Sequence, residues 1–95
     1  IKNFNNRIIN IHPSLLPKYG GKGMYGQFVH KKIIENKEMK SGITIHFVNE
    51  KYDEGEIIFQ KDLEIKEPKT SESLANQIHE LEMKHFPIII EKLIS

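Results

Sequence analysis

Between His12 and Gly26 the chain reads HPSLLPKYGGKGMYG, and no other stretch restricts the fold as much. Its two prolines and four glycines preclude a regular helix. Fifteen irregular residues are long for a connector, and loops of that length are usually functional or disordered. Leu15, Leu16, Met24 and Tyr25 argue against disorder, because a disordered segment carries few such side chains. The chain is therefore expected to build its elements around an ordered, functional loop.

The flanking segments are read from their periodicity. Arg7 to Ile11 (RIINI) is β-rich and looks like a buried strand. Gln27 to Asn36 looks helical, with Val29, Ile33 and Ile34 near one face. Gly42 then opens ITIHFV, a strand of β-branched and aromatic residues with His46 among them. Tyr52, Asp53, Glu54 and Gly55 form a turn signal, and Glu56 to Ile65 is a second strand, expected to lie antiparallel beside the previous one. Lys66 to Lys69 is a polar loop. The last helix starts at Thr70 or Ser71, both good N-caps, with Glu72 in its first turn. Leu74, Ile78, Leu81 and His85 recur at helical spacing, and Pro87 predicts a kink or a restart before Ile88 to Ile94. The order is β–loop–α–β–β–α, an α/β arrangement.

Composition removes several function classes. The 95 residues are 38% hydrophobic and 28% charged, as in ordinary globular proteins. No run approaches the ~20 apolar residues of a membrane-spanning helix. There is no cysteine, so disulfides, thiolate metal sites and cysteine nucleophiles are excluded, and a reducing, cytoplasmic setting is expected. A formal net charge of +1 gives no broad electrostatic case for nucleic acid or a membrane as partner. The charge is nonetheless uneven. Residues 1–48 carry eight basic against two acidic side chains, and residues 49–95 carry six against eleven. A dipolar surface explains this, and so does a basic first half lining a site for an anionic substrate. The chain opens on Ile1 rather than Met, so residues 1–95 are read as part of a larger single domain.

Three groups could carry chemistry. Asn10 and His12 are two residues apart at the end of the first strand, so an amide and an imidazole project side by side where the strand gives way to the loop. Turn capping by Asn10 and a backbone hydrogen bond from His12 explain the same pair. Asp53 precedes Gly55 in a turn, where an aspartate commonly satisfies its own backbone. Glu82 has His79 and His85 three residues to either side; a metal there would need further carboxylates from other helices, so no metal is expected. His30, His46 and His85 sit among apolar neighbours, as core histidines do.

NIHPSLLPKYGG closely resembles the signature loop of the folate-dependent formyltransferases. GITIHFVNEKYDEGEIIFQKDLEI resembles that family's segment around its catalytic aspartate, through Gly42, Thr44, Ile45, Phe47, Asp53, Gly55 and Ile58. The helix with Glu82 and Phe86-Pro87 is similar to the family's late helix. The resemblance implies the C-terminal half of a Rossmann-like formyltransferase fold, with the phosphate-binding N-terminal half absent. It implies Asn10, His12 and Asp53 as catalytic residues, and Asn10, Tyr52, Asp53, Glu54 and Gly55 as the folate contacts. It implies that Glu82, with His79, reaches the ribose of the substrate, and that the Leu16–Pro17 bond is cis.

The activity implied is transfer of a formyl group from the cosubstrate 10-formyltetrahydrofolate to the amine of glycinamide ribonucleotide in purine synthesis. The expected partners are these small molecules, and a piece without the N-terminal half should either be marginally stable or pair with a second copy in a homodimer that covers its open sheet edge. The nearest alternative is another 10-formyltetrahydrofolate enzyme: formyltetrahydrofolate hydrolases usually have a second histidine where this chain has Pro13, and methionyl-tRNA formyltransferases a small residue, so His12-Pro13 together with the late helix favours the first reading. A non-catalytic interaction fragment is the reading from a different class. Lys18 and Lys22 are either solvated surface or an attraction for phosphate or the folate glutamate tail. The loop departs from many relatives in GGKGMYG, and His30 is placed opposite the family's histidine at the start of the following helix.

Overall fold

The structure, a computed structural model, describes residues 8–21, 24–48 and 56–94. Its elements are β1 (Ile9–His12), α1 (Gln27–Glu35), β2 (Lys40–Phe47), β3 (Ile57–Glu64) and α2 (Ser71–Ile94), in the expected order. The strands form one antiparallel sheet in the order β1-β2-β3. The antiparallel β2–β3 pair is as expected. No local pattern marks the pairing of β1 with β2, which sets Ile9 opposite Phe47 and His12 opposite Thr44.

Partners across a ladder share a face, and neighbours along a strand alternate faces. Ile11, Ile43, Ile45 and Phe59 therefore lie on one side, and Asn10, His12, Thr44, His46 and Gln60 on the other. The apolar side carries the core: Ile43 packs with Val29 and Ile33 of α1 and Leu74 and Ile78 of α2, and Ile11, Phe59 and Leu63 close its edges. The polar side faces the loop. A bulge at Ile45/His46 leaves Ile58 as an extra residue in β3.

Thr70 is the N-cap of α2: its hydroxyl accepts from the Ser73 N–H at 3.1 Å. The C-terminus of α1 closes as a Schellman motif, with Lys37 N–H to Ile34 O at 3.0 Å and Glu38 N–H to Ile33 O at 3.2 Å. Lys37 takes the left-handed position at φ 55, where glycine is the usual residue.

Some boundaries differ from the sequence reading. β1 ends at His12, one residue later than expected. β2 begins at Lys40, two residues before Gly42, because cross-strand partners Glu64 and Leu63 recruit Lys40 and Ser41 into the ladder. α2 does not restart at Pro87 but runs unbroken from Ser71 to Ile94. Proline removes one helical hydrogen bond, and Pro87 lies on the exposed side while Phe86, Ile89 and Ile90 stay half-buried. Leu16–Pro17 is cis, as the resemblance implies, and Glu67–Pro68 is also cis. No helix among the described residues is long and apolar enough to cross a membrane.

Candidate active site

Asn10 and His12 share one face at the end of β1, as their spacing predicts. Their environments differ. Asn10 is exposed, whereas His12 is buried, with 4% of its surface accessible. His12 donates Nε2–H to the backbone carbonyl of Tyr19 at 2.8 Å, since a carbonyl can only accept. The backbone hydrogen bond that competed with a catalytic reading of His12 is thus present. It is compatible with catalysis, because such a bond holds the ring in place.

The loop after His12 is fastened to the polar face of the sheet by one hydroxyl. Thr44 Oγ1 donates to Ser14 O at 2.7 Å and accepts from Leu16 N–H and Gln60 Nε2, each at 2.9 Å. A threonine hydroxyl has one donor and two lone pairs, and all three are used. Gln60 Nε2 also donates to Leu16 O at 2.8 Å. Gly42 lets the loop come this close: a Cβ there would meet the Lys61 carbonyl, would lie 2.7 Å from Leu15 Cδ2 and 2.9 Å from Asp62 Cα. Ser14 Oγ donates to Lys18 O at 2.7 Å and tightens the turn.

Tyr19 joins the loop to α1. Its hydroxyl donates to Glu38 Oε2 at 2.7 Å and accepts from Asn36 Nδ2 at 2.8 Å, and its ring packs against the core. Burial raises the Tyr19 pKa, with the Asn36 amide opposing and the Glu38 carboxylate adding. The hydrogen bond from Tyr19 is the main influence holding the Glu38 carboxyl below its usual range, helped by Lys18 at 3.5 Å. Lys18 is therefore an exposed lysine in an ion pair. A cavity of about 110 Å³ lies beside this network, lined by Ser14, Tyr19, Ile33, Glu38 and Ser41 among others.

The remaining candidates are dispersed. His46 is buried opposite Asn10 and donates Nδ1–H to Phe47 O at 3.0 Å. His30 is buried on α1, and desolvation lowers its pKa. His85 stacks on Phe59 with ring centroids 5.2 Å apart. On α2, Glu82 lies 3.9 Å from His79 Nδ1; burial raises its pKa and His79 opposes the shift. Tyr52, Asp53, Glu54, Gly55 and Lys22 lie outside the described residues. The chain leaves β2 beside β1, where Val48 N–H donates to Ile8 O at 2.6 Å, and returns at Glu56, whose carbonyl accepts from Phe47 N–H at 2.9 Å. Among the described residues no group of three or more His, Asp or Glu side chains could hold a metal ion.

No local pattern singles out Tyr19 or Gln60, and Thr44 stands out only as part of a motif. The one signal in the sequence is a hydroxyl residue between two isoleucines on an inner strand, which has to find buried partners.

The formyl transferase family model matches residues 1–90. The chain is 44% identical over 90 residues to a chloroplastic phosphoribosylglycinamide formyltransferase of Arabidopsis thaliana, covering 95% of this chain and 31% of that protein. It is 42% identical over 91 residues to phosphoribosylglycinamide formyltransferase of Bacillus subtilis, covering 96% of this chain and 44% of that protein. The crystal structure of phosphoribosylglycinamide formyltransferase from Bacillus halodurans superposes with a TM-score of 0.82 at 37% identity, over 97% of this chain and 45% of that one. The chain thus spans less than half the length of each of these relatives.

Proposed function

This chain belongs to the formyl transferase family, and we propose that it carries the catalytic strand and loop of an enzyme that formylates glycinamide ribonucleotide from 10-formyltetrahydrofolate. One observation carries the proposal: an exposed amide and a buried imidazole anchored on a backbone carbonyl stand on one strand face above a pinned loop. The three relatives described above bear the name of this activity.

In this reaction the substrate amine attacks the formyl carbon, and the carbonyl π pair moves onto oxygen. Asn10 N–H and the His12 imidazolium stabilise that oxyanion, a contribution of ~3–4 kcal/mol for a well-placed donor. The oxyanion then collapses and the bond from carbon to folate N10 breaks. His12 supplies the proton that N10 needs to leave, and the amine loses one. Asp53 is proposed to favour the imidazolium and to order the water that takes the amine proton. Tyr52, Glu54 and Gly55 are proposed to meet the folate pterin through their backbone, and Glu82 with His79 to meet the ribose hydroxyls. The cysteine-free composition fits a reducing compartment such as the cytoplasm.

The test is an assay of the complete gene product with glycinamide ribonucleotide and 10-formyltetrahydrofolate. His12→Ala and Asn10→Ala should each lower kcat by roughly 100-fold or more. Wild-type turnover by His12→Ala would remove the catalytic assignment.

A further inference from the structure

We infer that Tyr19 is a positioning residue for His12; only the kinetic consequence of this inference rests on the formyl-transfer reading. His12 donates Nε2–H to the Tyr19 carbonyl at 2.8 Å, so the place of that carbonyl sets the place and plane of the imidazole.

A backbone carbonyl orients an imidazole only if its own peptide is held still. Gly20 and Gly21 follow Tyr19, and they give the loop no stiffness of their own. Tyr19 is itself at φ 56, in the left-handed region that an aromatic residue adopts only when its surroundings impose it. The surroundings here are the end of α1. Asn36 and Glu38 grip the phenol from both sides, and each is fixed by the backbone bonds that close that helix. The order is thus carried from a helix terminus to a phenol, from the phenol to its own carbonyl, and from that carbonyl to the ring of His12. The adjoining cavity of about 110 Å³ shows what the grip prevents, because without it the ring has room to shift.

The experiment is ¹⁵N NMR of the His12 ring in the complete gene product, with steady-state kinetics of the same samples. Wild type should show a protonated Nε2 at neutral and alkaline pH. Tyr19→Phe keeps the ring and removes the hydroxyl. It should loosen the Nε2–H bond, shift the Nε2 resonance and lower kcat about tenfold with KM within about twofold, because it disturbs orientation rather than binding. Glu38→Ala should reproduce the effect, and Glu38→Gln, which keeps an acceptor oxygen, should show little of it. An unprotonated Nε2 in wild type would overturn the inference, as would an unchanged His12 spectrum in Tyr19→Phe. If the wild-type protein fails to transfer formyl groups, the functional reading falls, while the Nε2 measurement still decides the link between Tyr19 and His12.

Discussion

Thr44 Oγ1 donates to the Ser14 carbonyl at 2.7 Å across thirty residues of sequence, and this contact seats the Pro- and Gly-rich loop on the sheet. The same oxygen accepts from Leu16 N–H and Gln60 Nε2. Thr44→Val conserves shape and removes all three bonds at a fully buried position. It should cost about 2–3 kcal/mol, since it strands buried backbone groups as well as losing bonds. Thr44→Ser keeps the hydroxyl and should lose only about 1 kcal/mol for the missing methyl. Urea unfolding of the two variants checks the ordering.

Gly42 is required by the closeness of the same loop. A methyl group there meets the Lys61 backbone, which is fixed by the β2–β3 ladder, as well as the tip of Leu15. The Leu15 side chain can move, but the strand cannot move without breaking pairing. Gly42→Ala should therefore destabilise by about 2–3 kcal/mol or more, despite its gain in strand propensity. Thermal unfolding reads this directly, and unchanged stability would show that β3 yields more readily than a paired strand should.

The element order was legible because each segment carries its own period: alternation in ITIHFV, three- and four-residue spacing from Leu74 to Leu81, and the Pro- and Gly-rich loop between them. The pairing of β1 with β2 was not legible, because four residues such as Ile9 to His12 fit either a parallel or an antiparallel neighbour. Asn10 and His12 were legible as a pair because i and i+2 share a strand face whatever the tertiary structure. Tyr19 was not. Its partners His12, Asn36 and Glu38 are seven, seventeen and nineteen residues away, and nothing local marks a loop tyrosine as the link among them.

His30 offers a test of burial without compensation. It is 5% exposed, and its Nδ1 has no hydrogen-bond partner among the described residues. Desolvation lowers its folded-state pKa below the ordinary 6.5. As pH falls below that value, the unfolded chain takes up a proton that the folded chain resists, so stability is lost toward the folded-state pKa. His30→Leu should stabilise the protein by roughly 1 kcal/mol at pH 8, from the unsatisfied nitrogen alone. The gain should grow as pH falls through the histidine range. Chemical denaturation at pH 8 and pH 5 measures both, and an equal gain at the two values would show that His30 titrates alike in both states.

Glu82 carries the opposite sign and links stability to the proposed substrate contact. Burial raises its carboxyl pKa, and His79 only partly offsets this. Because the folded-state pKa lies above the unfolded value, the folded protein holds this proton more tightly. The stability this group contributes is complete below the ordinary carboxylate range and is lost as pH rises through the folded-state pKa. At neutral pH the ionised, partly desolvated carboxylate is then a cost to the fold, of the kind retained where a charge has to meet a ligand. Glu82→Gln should leave stability near pH 4 unchanged and raise the melting temperature at pH 7. In the complete gene product it should also raise KM for glycinamide ribonucleotide by about tenfold with little change in kcat, as loss of a uniform binding contact does. A variant that is more stable at pH 7 with an unaltered KM would leave Glu82 a half-buried carboxylate with no part in holding the substrate.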